Sequence, residues 1–172
     1  MQDNNIIRFA VAGCGHIGKR HATMITANPE CQLVALCDIR AESELTLESF
    51  DVPFFSSVDD LLHNGPTFDV LSIATPNGLH EEHALQGINS GHHVVIEKPM
   101  ALSKGGCEKI IYEALHRHKL VFCIMQNRYS PPSQWLKTIL QQGRLGKIFM
   151  VQINCYWNRD ERYYTEIGRA HV

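Results

Sequence analysis

Residues 6–18 read IIRFAVAGCGHIG, an apolar run that leads directly into three glycines spaced as GxGxxG. The run Ile6–Ala12 is short and rich in branched side chains, which predicts a buried parallel strand. Amphipathic spacing over His16–Ala27 predicts a helix directly after it. Glycines between a strand and a helix allow a tight turn, a close approach of phosphate groups and close packing of the helix on the strand. This stretch therefore predicts a loop that holds the pyrophosphate of a dinucleotide at the start of a helix.

Short apolar runs and longer amphipathic stretches alternate along the rest of the chain. The apolar runs predict parallel strands at Ile6–Ala12, Gln32–Cys37, Val70–Ala74, His93–Ile96 and Leu120–Met125, with a short edge strand at Pro53–Ser56. The amphipathic stretches predict helices at His16–Ala27, Ala41–Phe50, Val58–His63, Leu79–Ser90 and Ser103–His118. Ser103 is expected to be the N-cap of the last of these helices. The alternation predicts right-handed βαβ units in one parallel sheet, which is an α/β, doubly wound Rossmann fold.

The pattern changes near Tyr129, where a Ser-Pro-Pro triplet at 130–132 interrupts it. Beyond this break we predict a helix at Ser133–Gln142 and a longer strand at Ile148–Trp157 that belongs to a different sheet. We therefore place a domain boundary at about residue 129.

The composition argues against several classes of protein. Charged residues make up 20% of the chain and its net charge is −2, so it carries no electrostatic footprint for nucleic acid or an anionic membrane. No apolar run approaches the roughly 18 residues of a membrane span, and no stretch resembles a signal peptide. We therefore expect a cytoplasmic protein. The cysteines form no CxxC pair and the histidines are scattered, so we expect no metal site.

An acidic residue ends the second predicted strand. Asp38 lies 20 residues after Gly18, where a carboxylate would accept hydrogen bonds from the ribose hydroxyls of the adenosine. The same charge would repel a 2′-phosphate, which favours NAD, with NADP as the alternative. Arg40 complicates this interpretation, because it could neutralise such a phosphate or stack on the adenine. The alternative for the whole motif is a tight glycine turn beside a solvated aspartate.

A second group of polar residues follows two later strands. The stretch ATPNGLH occupies residues 74–80, and Glu97-Lys98-Pro99 follows the fifth long strand. Both positions are carboxyl ends of parallel strands, where open α/β sheets bind ligands. We expect Lys98 to lie in a crevice where desolvation makes proton exchange near neutral pH accessible. The alternative is a surface lysine in a loop.

The ordered set of motifs resembles the glucose–fructose oxidoreductase / inositol dehydrogenase (Gfo/Idh/MocA) family over residues 6 to about 165. The motifs are AGCGHIG at 12–18, CD at 37–38, ATPNGLH at 74–80, EKPMA at 97–101, QNRY at 126–129 and GRLGKI at 143–148. Members of that family pair a Rossmann domain with a C-terminal α/β domain that covers the substrate and forms oligomer contacts. The resemblance therefore implies that 1–129 is the NAD(P)-binding domain, that 130–165 begins a substrate and oligomerisation domain, and that the parent protein is a homo-oligomer.

The resemblance also implies roles for individual residues. Lys98 matches the family's catalytic lysine, whose bond to the next proline is often cis in the family. The residues expected to bind the cofactor, from the loop motif and the resemblance together, are Gly13, Cys14, Gly15, His16, Ile17, Gly18, Asp38, Ile39, Arg40, Thr75, Pro76, Asn77, His80, Glu97, Lys98 and Gln126. Those expected near the substrate are Lys98, Asn127, Arg128, Trp157 and Arg159. A further catalytic residue usually comes from a downstream acidic-and-histidine motif, which this chain does not contain.

The segment CYWNRDERYY at 155–164 is more particular. It is similar to the subgroup of the family that acts at C3 of UDP-linked N-acetylated sugar acids. Arginine and tyrosine suit a diphosphate and a sugar ring. The alternative is a solvated charged loop.

These features together predict an NAD(P)-dependent oxidoreductase. A hydride would pass between a hydroxyl-bearing carbon of a sugar or nucleotide sugar and the nicotinamide, with Lys98 moving the hydroxyl proton. The alternative is a non-catalytic dinucleotide-binding sensor or regulatory subunit, which the fold alone does not exclude. A proton-transferring lysine favours the enzyme.

The last seven residues, EIGRAHV at 166–172, depart from the family pattern. They are what the codons GAG ATC GGA AGA GCA CAC GTC encode, and from its second base that string matches a common sequencing adapter whose next codon is a stop. We therefore expect a non-native tail on a fragment that is inactive alone, with a poorly packed region after Tyr129.

Overall fold

The structure is a computed structural model that describes residues 6–158 and residue 161. Within these residues, six parallel strands form one sheet: β1 (Ile7–Ala12), β2 (Cys31–Cys37), β3 (Phe54–Phe55), β4 (Val70–Ile73), β5 (His93–Ile96) and β6 (Val121–Cys123). Their spatial order is β3-β2-β1-β4-β5-β6. The first three strands are added in one direction from β1, and the last three are added on its other side in the opposite direction. This is the doubly wound Rossmann fold that the sequence predicts, with the short strand at the edge.

The strands are connected by helices that begin and end close to the predicted bounds. They are α1 (His16–Ala27), α2 (Val58–Asn64), α3 (His80–Asn89) and α4 (Lys104–His116), and α5 (Pro131–Gln141) follows the last strand. Ser103 caps α4 as predicted, because its hydroxyl accepts a hydrogen bond of 3.0 Å from the N–H of Gly106. Ser57 caps α2 in the same way, through the N–H of Asp60.

Alternate side chains of the strands pack on the two faces of the sheet. On one face, Leu71 of β4 is buried with Ile88 of α3 and Ile110 of α4. On the other face, Val11 of β1 is buried with Ala22 of α1. Burial on both faces explains why the strands appear in the sequence as continuous apolar runs.

The predicted helix at Ala41–Phe50 is wrong. The structure has only a short 3₁₀ turn at Glu42–Glu44 and then an irregular segment. Leu45 and Leu47 both pack into the buried cluster beneath α1. Residues two apart lie on different faces of a helix, so burying both requires a bend. The bend lies at Thr46, whose φ is +50°.

The predicted strand at Ile148–Trp157 is also not formed. Residues 149–158 have no regular structure, and Phe149, Met150 and Ile153 are more than 80% exposed. A strand is stabilised by hydrogen bonds to a neighbouring strand. Among the described residues, no strand pairs with this segment.

The described chain divides into two compact units. The first contains the residues up to Ile124, and the second begins at Met125. The predicted domain boundary near residue 129 and the assignment of 130–165 to a substrate domain remain predictions, and the tail at 166–172 lies outside the described residues. None of the described helices is long and apolar enough to cross a membrane.

Candidate functional site

The register of the sheet brings the ends of four neighbouring strands level. Ala12 of β1 pairs with Cys37 of β2 on one side and with Ile73 of β4 on the other. Ile73 in turn pairs with Ile96 of β5. The residues that follow these ends therefore lie along one edge: Asp38, Gly13, Ala74 and Glu97.

The glycine loop lies in the middle of this edge. Gly13 has a φ of +89°, and a Cβ there would lie 2.6 Å from the carbonyl carbon of Ala74. A Cβ on Gly18 would overlap the carbonyl oxygen of Gly13. At Gly15 a Cβ would meet only Arg40 Nη2, at 3.9 Å. Gly13 and Gly18 are therefore required by the packing of the protein itself, whereas the space beside Gly15 is open to a ligand.

The start of α1 faces the same open space. Gly15 is its N-cap residue, and no side chain among the described residues caps it. The first turn contains no acidic residue, and His16 and Ile17 are exposed. The free N–H groups and the helix dipole at this end favour an anionic group.

Cys14 packs inside the protein and connects the glycine loop to the end of β2. It is fully buried, its N–H donates to Asp38 Oδ2 at 2.7 Å, and its Sγ–H donates to the carbonyl of Cys37 at 3.4 Å. Burial and the nearby Asp38 carboxylate raise the pKa of its thiol to about 11. Cys14 is therefore an uncharged packing group at neutral pH.

The carboxylate of Asp38 is nearly enclosed, with 7% of its side chain exposed. Oδ1 accepts from the N–H and Nε of Arg40 at 3.0 and 3.1 Å, and Oδ2 accepts from Arg40 Nη2 at 3.0 Å and from the N–H of Cys14. Burial alone would raise the pKa of Asp38, but the hydrogen bonds from Arg40 and Cys14 outweigh it and hold the pKa below its ordinary value. Asp38 is therefore ionised at neutral pH. Beside it, Ile39 is exposed.

We expect the Asp38 carboxylate to stabilise the fold at neutral pH but not in strong acid. Because its folded-state pKa is lower than the unfolded value of about 3.9, its stabilisation is present above that value and is lost as the pH falls through the folded-state pKa. Thermal unfolding midpoints of the wild type and of Asp38→Asn should therefore differ at neutral pH and converge in acid. A difference that is the same at every pH would contradict this expectation.

A pocket of about 210 Å³ opens beside Asp38 and Gly13. Thr75 and Pro76, which were predicted to bind the cofactor, line it, and Asn77 follows them in a 3₁₀ turn. Sequence reasoning missed eight of its lining residues: Cys37, Ser57, Val58, Asp59, Leu79, Glu82, His83 and Gln86. For one of them, His83, the sequence did offer a signal: it follows His80 at HxxH spacing on the same helix. His83 Nδ1 lies 3.0 Å from Thr75 Oγ1, and burial lowers the pKa of His83.

His80 lies inside the protein rather than on an open surface. It is 1% exposed, its Nδ1 lies 2.6 Å from the carbonyl oxygen of Pro99, and its Nε2 lies 2.8 Å from that of Thr75. The ring therefore connects the loop after β4 to the loop after β5. This geometry favours a supporting role for His80 over the direct cofactor contact that the resemblance implies.

Glu97 and Lys98 extend the edge beyond β5. Glu97 Oε1 lies 3.1 Å from His21 Nε2, and Oε2 accepts from the N–H of Lys98 at 3.2 Å. The hydrogen bond from His21 is the main reason why the pKa of Glu97 is lowered. The peptide bond from Lys98 to Pro99 is cis. Contrary to the expectation of a desolvated crevice, Lys98 is exposed, because it lies beyond the end of the strand and the described residues leave it open to solvent.

The remaining predicted residues lie in the second unit or outside the described chain. Gln126, Asn127 and Arg128 form an exposed 3₁₀ turn of the second unit, and Trp157 is exposed there as well. Arg159 lies outside the described residues. Their predicted places near the cofactor and substrate therefore remain predictions. Among the described residues, no group of three or more His, Cys, Asp or Glu is arranged to hold a metal ion.

Several known proteins are similar to this chain. Glucose-6-phosphate 3-dehydrogenase of Bacillus subtilis is 30% identical over 149 residues, which cover 86% of this chain and 41% of that protein. The WlbA dehydrogenase of Bordetella pertussis, solved with NADH and UDP-GlcNAcA, matches with a TM-score of 0.86 and 35% identity, covering 92% of this chain and 50% of that one. The WlbA dehydrogenase of Chromobacterium violaceum, solved with the same two molecules, matches with a TM-score of 0.88 and 31% identity, covering 96% and 48%.

The chain spans about half the length of these relatives. Residues 7–125 match the Gfo/Idh/MocA family, whose description is an oxidoreductase family with an NAD-binding Rossmann fold. That match covers β1 to β6 and includes the glycine loop, Asp38 and Lys98. The chain therefore belongs to the Gfo/Idh/MocA family of NAD-binding oxidoreductases.

Proposed function

We propose that this chain binds NAD along the carboxyl edge of its sheet and that the protein transfers a hydride between NAD and a hydroxyl-bearing carbon of a sugar or nucleotide sugar. The observation that carries this proposal is that the glycine loop and Lys98 lie on the same edge, after β1 and β5. Two strand spacings separate these strands, or about 10 Å. Part of an extended dinucleotide can cover that distance.

The described residues fit such a cofactor. The open space beside Gly15 and the uncapped start of α1 suit the pyrophosphate. Asp38 suits the adenosine ribose, and the 210 Å³ pocket beside it suits the adenine. The four hydrogen bonds to Asp38 use all the acceptor positions of a carboxylate, so Arg40 would release at least one when ribose hydroxyls bind.

Lys98 would perform the acid–base part of the reaction. Bound NAD supplies the hydride acceptor. As the carbon–hydrogen bond of the substrate breaks, Lys98 would take the proton of the adjacent hydroxyl and stabilise the negative charge that develops on its oxygen. Lys98 is open to solvent among the described residues, so its desolvation would depend on bound cofactor and substrate. A homo-oligomeric parent protein remains a prediction from the family resemblance.

The similar structures favour a nucleotide sugar as the first substrate class to test. Two of them hold UDP-GlcNAcA, whereas the similar Bacillus subtilis enzyme is named for a sugar phosphate. The test is NADH fluorescence with this chain, followed by turnover assays with UDP-sugars, sugar phosphates and free sugars in a version that spans the full length of its relatives. Turnover supports the proposal, while binding without any turnover would indicate a sensor or regulatory subunit.

We expect Asp38→Ala to narrow the preference of the chain for NADH over NADPH. The substitution removes hydrogen bonds from the ribose hydroxyls to a charged acceptor, each worth about 1.5–3 kcal/mol, or about 10- to 100-fold in affinity. It also removes the repulsion of a 2′-phosphate. The ratio of the two dissociation constants, measured by fluorescence titration, checks this.

Asp69→Ala is the matched control for this cofactor experiment. It removes an equal charge, paired with Arg8 at 2.8 Å, before β4 at the opposite edge of the sheet. We expect it to leave the cofactor ratio unchanged. A wild-type chain that binds NADPH more tightly than NADH would show that the proposed role of Asp38 is wrong.

A further inference from the structure

A chain of polar contacts runs beneath the candidate site and ends at Lys98. Ser72, in the middle of β4, has its Oγ 2.9 Å from His21 Nδ1. His21, on α1, has its Nε2 3.1 Å from Glu97 Oε1. The other oxygen of Glu97 accepts from the backbone N–H of Lys98. Three elements of the fold are thus joined through one imidazole.

The contacts are mutually consistent in donors and acceptors. An ionised carboxylate only accepts, so Nε2–H of His21 donates to Glu97. In the neutral ring Nδ1 then accepts, and the hydroxyl of Ser72 can donate to it. Ser72 is buried, and the side chains of His21 and Glu97 are about 15% exposed. Hydrogen bonds that are this well enclosed hold side chains in defined positions.

We propose that His21 is a positioning residue that orients Glu97 and, through it, the backbone that presents Lys98. This inference rests on the proposed function, in which Lys98 acts on the substrate. His21 lies one turn after the glycine loop, on the helix whose start faces the pyrophosphate site. The same helix therefore positions both the cofactor loop and the lysine, which keeps the distance between them fixed.

A merely structural role for the His21–Glu97 contact makes a different prediction. In that case, any substitution that preserves the fold should leave Lys98 unaffected. If His21 positions Lys98, only substitutions that keep the contact to Glu97 should leave the surroundings of the Lys98 amine as they are in the wild type. Asparagine and glutamine separate the two cases, because an asparagine amide nitrogen takes the place of Nδ1 and a glutamine amide nitrogen takes the place of Nε2.

The test compares His21→Asn with His21→Gln in this chain. Reductive methylation with ¹³C-formaldehyde labels the lysine amines, and Lys98→Arg identifies the Lys98 signal in the NMR spectrum. We expect the Lys98 signal to shift in His21→Asn, to stay near its wild-type position in His21→Gln, and to be unchanged in Arg8→Ala, which breaks the ion pair at the opposite edge. The signals of the other lysines report whether each variant is folded.

Kinetics in a version that spans the full length of its relatives give a second readout. His21→Asn should lower kcat by about 10- to 100-fold, since a misplacement of about 1 Å can cost about 10²-fold. The KM for NAD should stay nearly unchanged, because His21 is not among the residues that line the pocket proposed for the adenine and lies one turn beyond the glycine loop. His21→Gln should restore most of the kcat.

The outcomes separate this inference from the proposed function. Folded Asn and Gln variants with the same Lys98 signal and the same kcat would overturn the positioning role while leaving the enzyme standing. A wild-type chain that binds no NADH would overturn the proposed function. The comparison of Lys98 signals needs no cofactor, so it still decides whether His21 orients the lysine.

Discussion

Replacing Lys98 with methionine should lower kcat by about 10²- to 10⁴-fold, the usual contribution of a general acid–base group. Methionine keeps much of the length and volume of the side chain but cannot carry a proton. Lys98 is exposed, so the fold should tolerate the change. Steady-state turnover, in a version that spans the full length of its relatives, gives kcat. Fluorescence titration gives the dissociation constant for NADH, which should change little.

Lys104→Met is the matched control for this experiment. Lys104 begins α4, its side chain is 89% exposed, and its ammonium is 3.3 Å from Glu108. The same chemical change there should leave both kcat and NADH binding as they are. An unchanged kcat in Lys98→Met would move the proton transfer to another residue and leave Lys98 a structural role.

Gly13→Ala should abolish NADH binding and destabilise the fold by about 2–5 kcal/mol. A side chain at a φ of +89° costs about 1–2 kcal/mol, and overpacking against the backbone of Ala74 costs about 1–3 kcal/mol more. The loop that faces the pyrophosphate would have to move to relieve the contact. Denaturant unfolding measures the stability, and NADH fluorescence measures the binding.

Gly91→Ala separates backbone strain from crowding. Gly91 has almost the same φ, +90°, but a Cβ there would meet nothing within 4 Å. We expect Gly91→Ala to lose only the stability that backbone strain costs, about 1–2 kcal/mol, and to bind NADH normally. Equal losses of stability in the two variants would mean that the close approach of Gly13 to Ala74 does not matter.

Local patterns predicted most of the architecture of the first unit. The strand His93–Ile96 and the helix His16–Ala27 have the predicted bounds. A strand buried on both faces leaves a short continuous apolar run in the sequence, and an amphipathic helix leaves a 3.6-residue period. The pattern misled at Ala41–Phe50. There, two leucines had to reach the same buried cluster, and tertiary packing outweighed the helical propensity of the segment.

A strand prediction requires more than a suitable side-chain pattern. Ile148–Trp157 has alternating apolar residues, yet the described residues supply no partner strand and the segment stays irregular. Alternation records which face a strand would bury, but only another strand can take its hydrogen bonds. The pattern therefore could not establish whether the ladder forms.

The sequence by itself determined the Rossmann architecture, the place of the glycine loop and the edge on which Asp38 and Lys98 lie. These follow from spacing within one βα unit and from the rule that parallel strands end on one side. Only the tertiary structure decided what each side chain touches. His21 meets Glu97 across 76 residues of sequence, and both ring nitrogens of His80 lie against backbone carbonyls, that of Pro99 in the loop after the next strand among them. Such contacts depend on the register between strands and on the packing of a helix over them, and no local pattern in the chain records either.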